Sequence, residues 1–237
     1  MAEPVLFCWS GGKDSCMALH ELRRDPRYEI AVLLTTVTET YDRISMHGVR
    51  RVLVERQATA LGLPLEVVTI PPACVNEDYE ARMEAVLLRW KARGIRRVAF
   101  GDIFLQDLRE YRERNLARVE MEAIFPVWFR PTDTLVREFV RLGFRAVTVC
   151  VDPRKLVEQF VGREINDEFV AELPAGADPC GENGEFHSFV YDGPGFAEPV
   201  RFEIGEKVLR EGFWFCDLIP AETDAGEAKA RTAAPRA

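Results

Sequence analysis

Six consecutive residues, Ser10-Gly11-Gly12-Lys13-Asp14-Ser15, have the types and order needed to hold an anion. Without Cβ atoms, the two glycines let the backbone turn sharply and bring successive N–H groups toward one point. Lys13 adds a full positive charge, and Ser10 and Ser15 add hydroxyl donors. A helix opening near Asp14 would contribute unpaired N–H groups and the positive end of its dipole. The spacing is not that of a Walker A loop, because aspartate follows the lysine, and a dinucleotide fingerprint fails for want of its third glycine. A plain Gly-Gly turn between strand and helix would not need a lysine and two serines at these positions, so the loop reads as a phosphate cradle.

A second group of reactive side chains lies far down the chain, where Asp178, Glu182, Glu185 and His187 alternate with glycines ahead of an apolar run. Carboxylates spaced in this way bind an amine or ammonium, position a cationic substrate or act as a base. The alternative is a polar hairpin entrance whose glycines permit the turn.

At these residues a resemblance emerges. Ser10 to Ser15 after an N-terminal strand resembles the PP-loop of the N-type ATP pyrophosphatases, which split ATP between its α and β phosphates. Gly101-Asp102-Ile103 and the stretch Gly181-Glu182-Asn183-Gly184-Glu185-Phe186-His187-Ser188-Phe189-Val190, followed by Asp192-Gly193-Pro194, are similar to the diphthine-ammonia ligase family. The resemblance runs from about residue 4 to residue 220.

It implies ATP and magnesium as cofactors, with the nucleotide on Ser10, Gly11, Gly12, Lys13, Asp14, Ser15, Thr36 and Gly101. Lys13, Asp102, Glu182 and Glu185 become the catalytic candidates. Asp102 is placed either to hold magnesium between phosphates or to cap the following helix. Asp14 is divided between metal or ribose contact and the first turn of its own helix. His47, Arg50, Tyr111 and Arg112 join Glu182, Glu185 and His187 as acceptor-binding candidates, with a solvated helix face as the rival reading for the first four.

The reaction implied is adenylation of a carboxylate followed by amidation with ammonia. His187-Ser188 resembles a bacterial branch, which leaves the acceptor open between diphthine, a modified histidine on elongation factor 2, and a small carboxylic acid. Two other readings are a PP-loop enzyme that modifies tRNA or adenylates a small molecule, and a nucleotide-binding sensor without catalysis.

These residues need a frame. Apolar runs at Val5–Trp9, Ile30–Thr36, Leu65–Ile70, Val98–Gly101 and Ala146–Val151 read as buried strands, and helical patterns fill the gaps between them. The clearest helix runs from Glu77 to Arg93, and Leu105 to Glu122 reads as a charged, solvated one. Such alternation predicts an α/β fold: a doubly wound, parallel five-stranded sheet of the adenine nucleotide alpha hydrolase-like kind. Its ligand crevice lies beyond the carboxyl ends of the strands, where the cradle and Gly101-Asp102 both fall. Residues 1–152 are expected to form this ATP-binding domain. Residues 153–220 are expected to form a small α+β extension that binds the acceptor, and 221–237 a disordered tail.

At 237 residues and 47% hydrophobic content the chain can bury a substantial core. A net charge of −8 argues against broad nucleic-acid binding, and no apolar run is long enough to span a membrane. Six scattered cysteines without a Cys-x-x-Cys pair fit reduced thiols, with Cys180 the one beside the acidic loop. Together with an N-terminus unlike a signal peptide, this predicts a cytoplasmic enzyme; a homodimer is among the partners the sequence admits.

Overall fold

The computed structural model describes residues 2–44, 47–72 and 74–222. The part of the expected disordered tail beyond Glu222 lies outside the described residues. The order of elements is β1 (Glu3–Cys8), α1 (Lys13–Arg24), β2 (Tyr28–Thr38), β3 (Arg43–Ile44), α2 (Arg51–Ala60), β4 (Leu65–Ile70), α3 (Asn76–Ala92), β5 (Arg97–Ala99), α4 (Gln106–Arg118) and β6 (Glu122–Ile124). There follow α5 (Thr132–Arg141), β7 (Arg145–Val151), α6 (Asp167–Glu172), β8 (Phe186–Asp192), β9 (Phe202–Arg210) and β10 (Phe213–Pro220).

Five strands run parallel in the spatial order β4-β2-β1-β5-β6, and the two-residue β3 pairs antiparallel with the end of β2. The chain therefore winds outward from β1 in one direction and then in the other. The reversal falls between β1 and β5, which puts the mouth of the sheet's crevice at the ends of these two strands.

Side chains alternate across the sheet with the period of two that strands impose. Val5 and Phe7 of β1 point into one core with Leu33, Leu53 and Phe139, while Leu6 points into the other with Val32, Val98 and Leu116. Helices α1, α2 and α5 contribute to the first core, and α3 and α4 to the second. This is why the strand sequences read as continuous apolar runs.

The fifth expected parallel strand belongs elsewhere. Ala146–Val151 lies in β7, which pairs antiparallel with β8 and β10 in a second sheet of order β8-β7-β10-β9. All six of those residues are buried, so the run lacks the alternation that marks a half-exposed antiparallel strand. Its place in the first sheet is taken by β6, three residues at the end of the charged segment after α4. The first core continues into the second sheet through Val147, Val149, Phe189 and Leu218.

Candidate active site

The cradle is built by β1, α1 and an element far away in sequence. Gly11 takes φ +78°, and a Cβ there would lie 2.6 Å from Gln57 Oε1. Gln57 is fully buried on α2; its amide donates to the carbonyls of Gly11 (3.0 Å) and Val190 (2.5 Å), while its oxygen accepts from Trp9 Nε1 at 3.0 Å. The Val190 N–H donates back to Gly11 O at 2.9 Å. One glutamine thus ties the Ser10–Ser15 loop to β8. Sequence reasoning missed it; the signal was a lone amide on the face that carries Leu53, Val54 and Ala58.

Within the loop, Ser10 Oγ accepts from Gly12 N at 3.2 Å and lies 3.0 Å from Ser15 Oγ, which donates to Gly12 O at 2.9 Å. Lys13 N donates to Ser188 Oγ at 3.1 Å, so the first turn of α1 is capped by the second sheet. Lys13 is 2% exposed. Its ammonium holds both oxygens of Asp14 (2.8 and 2.9 Å), donates to Cys180 O and sits 5.1 Å from the Phe186 ring centre. Burial disfavours this charge, but Asp14 foremost, with Cys180 and Glu182, together outweigh it, and the lysine pKa lies above its usual value.

The carboxyl end of β5 closes the other side. A Cβ on Gly101 would lie 2.8 Å from both Ser15 N and Ser15 Cα, so only glycine lets this corner approach the start of α1. Next to it, Asp102 accepts a bidentate pair from Arg112, at 2.5 Å from Nε and 3.0 Å from Nη2. The guanidinium also stacks 4.4 Å from the Phe100 ring centre.

These elements enclose a crevice of about 480 Å³. Ser10, Gly12, Lys13, Asp14, Ser15 and Thr36 line it, as do His47, Gly101, Asp102, Arg112, Glu182 and His187. Four expected residues stand apart. Gly11 turns its backbone toward Gln57. Arg50 forms a bidentate pair with Asp217 of β10 (3.0 and 2.6 Å) and so pins α2 to the second sheet. Tyr111 faces a groove between α3 and α4, beside Glu80 and Asn115. Glu185 is buried under its loop, where its Oε1 accepts from Asp178 N at 3.2 Å and its Oε2 has no protein partner. Thr35, also without a partner for its hydroxyl, lines the crevice beside Thr36.

Electrostatics divide the wall. Glu182 Oε1 accepts from the backbone N–H of Ile103 (2.8 Å) and Phe104 (3.4 Å). Burial and then the Asp14 carboxylate raise Glu182 to about 7. The His47 and His187 rings lie 4.6 Å apart. Burial first, then the neighbouring His187, hold His47 down to about 3; burial and Lys13 hold His187 to about 4. Both imidazoles are therefore neutral at pH 7. Burial likewise pushes the Cys180 thiol far above its usual range, and its Sγ donates to Thr132 O at 3.3 Å, so this thiol is a structural one.

The histidine pair carries a stability prediction. In the unfolded chain both rings take up protons below about pH 6.5, whereas in the folded protein they stay neutral until far lower pH. Their contribution is complete above pH 6.5 and is lost as pH falls toward 4. Solvent reaches the half-buried rings and trims the effect, so the slope is at most about 1.4 kcal/mol per pH unit per ring. Urea unfolding of the wild type and of the H47Q/H187Q variant will show the two curves converging between pH 6.5 and 4. Glu182, which titrates in the same window with the opposite sign, is common to both proteins.

The carboxylates on the crevice are each engaged already: Asp102 by Arg112, Asp14 by Lys13, Glu182 by two main-chain amides. Among the described residues no group of three or more His, Cys, Asp or Glu side chains is arranged to hold a metal ion. Asp102 is paired with Arg112, so a magnesium ion there would share the carboxylate with that guanidinium.

Comparison with known proteins decides the family. A model of the diphthamide synthase N-terminal domain matches residues 4–123, and one of the C-terminal domain matches residues 131–220. The chain belongs to the diphthamide synthase family. Curated relatives named diphthine–ammonia ligase include that of Rattus norvegicus, 26% identical over 233 residues, and that of Homo sapiens, 23% identical over 231; each alignment covers 88% of this chain and 86% of the relative. The Danio rerio ligase is 25% identical over 224 residues, covering 84% and 86%. Membership makes the chain an ATP-dependent ligase. The crevice lies where the family's two domains meet: the N-terminal match supplies the cradle and Asp102, and the C-terminal match supplies Glu182, His187 and Ser188. Among the described residues no helix is long and apolar enough to cross a membrane.

Proposed function

We propose that the protein activates a carboxylate by adenylation and then amidates it with ammonia, with diphthine, the acceptor named in its relatives, as the substrate to test first. One observation carries this reading: the anion cradle and the Glu182–Ser188 loop face each other across a single crevice. A nucleotide on the cradle would present its α phosphate to an acceptor held by that loop. An acceptor carboxylate oxygen attacks the α phosphorus and pyrophosphate leaves. Ammonia then attacks the acyl carbon, and AMP leaves with the electron pair of the broken C–O bond. The first step is needed because a carboxylate resists attack by ammonia, whereas its mixed anhydride with AMP does not.

In this reading Lys13, the loop amides and the dipole of α1 stabilise charge that builds on the phosphates. As found, the ammonium makes three hydrogen bonds, two to the Asp14 carboxylate and one to the Cys180 carbonyl, so a phosphate oxygen would take the place of one of them. ATP would enter as its magnesium complex, with the ion held by the nucleotide. Incubation with magnesium ATP, ammonium and diphthine should release AMP and pyrophosphate in equal amounts, resolved by ion-exchange chromatography. Release of ADP and phosphate would overturn the reading. No turnover with diphthine, alongside AMP release with a small carboxylic acid, would transfer it to that acceptor.

A further inference from the structure

The amidation step has to dispose of a proton, since the ammonia that attacks carries three hydrogens and the amide nitrogen keeps two. The crevice wall offers five carboxylate and imidazole side chains that could take it. Asp14 and Asp102 are neutralised by Lys13 and Arg112. His47 and His187 are held neutral and are very weak bases. Glu182 differs from the other carboxylates: among the described residues it forms no salt bridge, and its Oε1 is fixed by the amides of Ile103 and Phe104. Its own N–H donates to Asp178 Oδ1 at 3.1 Å, which anchors the backbone as well as the carboxylate.

We propose that Glu182 is the base that takes the proton from the nitrogen as it displaces AMP. The assignment rests on the adenylation reading above. In the step, the nitrogen lone pair forms the C–N bond, the C–O bond to AMP breaks, and one N–H proton passes to the Glu182 carboxylate, which later releases it to solvent. Lys13, Asp14 and Cys180 are the titratable groups that face Glu182. Burial and Asp14 place its pKa at about 7, where a base is still ionised in part yet strong enough to accept from the cationic nitrogen of the adduct.

The test separates the two half-reactions in Glu182→Gln, which keeps an acceptor oxygen for the two amides. With diphthine and magnesium ATP, ATP–pyrophosphate exchange should fall far less than amide formation, and an unchanged urea-unfolding midpoint certifies the fold. Amide formation from ammonium at pH 7 should fall about 10²- to 10⁴-fold. It should recover in part as the pH rises to about 9, where solvent base takes over the proton. Glu182→Asp should keep exchange and amidate at an intermediate rate. Amidation at the wild-type rate in E182Q, or exchange falling in proportion to amidation in both variants, overturns the assignment. Absence of diphthine-dependent exchange in the wild type overturns the acceptor reading, and the assignment with it.

Discussion

Lys13→Ala will lower diphthine-dependent AMP release by about 10²- to 10³-fold, the usual cost of removing one preorganised donor from developing phosphate charge. The variant has a second consequence, because the lysine is also the cation for Asp14 at 2.8 Å. Its loss strands a carboxylate whose pKa burial already raises, and the expected destabilisation is about 2 to 3 kcal/mol. The double variant Lys13→Ala/Asp14→Asn distinguishes the two effects. Removing both charges should restore most of the stability in urea unfolding and none of the AMP release. Wild-type turnover in the single variant would mean that the cradle is not the catalytic site.

Gly101→Ala should be nearly as damaging for a purely steric reason. Its new Cβ would meet backbone atoms, 2.8 Å from Ser15 N and Cα and 3.0 Å from Asp14 C, and the main chain has no rotamer by which to yield. Helix α1 cannot simply retreat, since Lys13 N is bonded to Ser188 on its far side. We expect about 1 to 3 kcal/mol of destabilisation, typical of overpacking, together with at least a tenfold rise in KM for ATP as the first turn shifts out of line. Gly176→Ala, with open space around it and no positive φ, is the control; its stability should change by less than about 0.5 kcal/mol. An unaltered KM in Gly101→Ala would refute the close packing of β5 against α1.

Much of this was legible in the sequence because the signals are local. The strand-loop-helix around Ser10 to Ser15 needs only a few neighbours to be recognised, and all six of these residues but Gly11 line the crevice. Helix boundaries such as 76–92 for α3 follow from periodicity and stop signals. What was hidden depends on pairing across long separations. A buried apolar run such as 146–151 shows no preference between parallel and antiparallel neighbours, and three residues are too few to announce β6. Arg50 is an acceptor-binding candidate from its own segment alone, which gives no sign of its partner Asp217, 167 positions away. Asp102 and Arg112 were read as separate site residues, although the turn between β5 and α4 makes them a bidentate pair. Gln57 was invisible for the same reason: its value lies in what it joins, Gly11 and Val190.

That junction has a further consequence for how the molecule comes apart. Gly11 accepts a hydrogen bond from the Val190 N–H and is bridged to Val190 through Gln57, so segments nearly 180 positions apart share one fastening at the Ser10–Ser15 loop. A protease cut between the two domain matches would leave fragments clasped together through this point. Nucleotide bound there would therefore act as a rivet, protecting the C-terminal half from digestion as firmly as the half that carries the lysine.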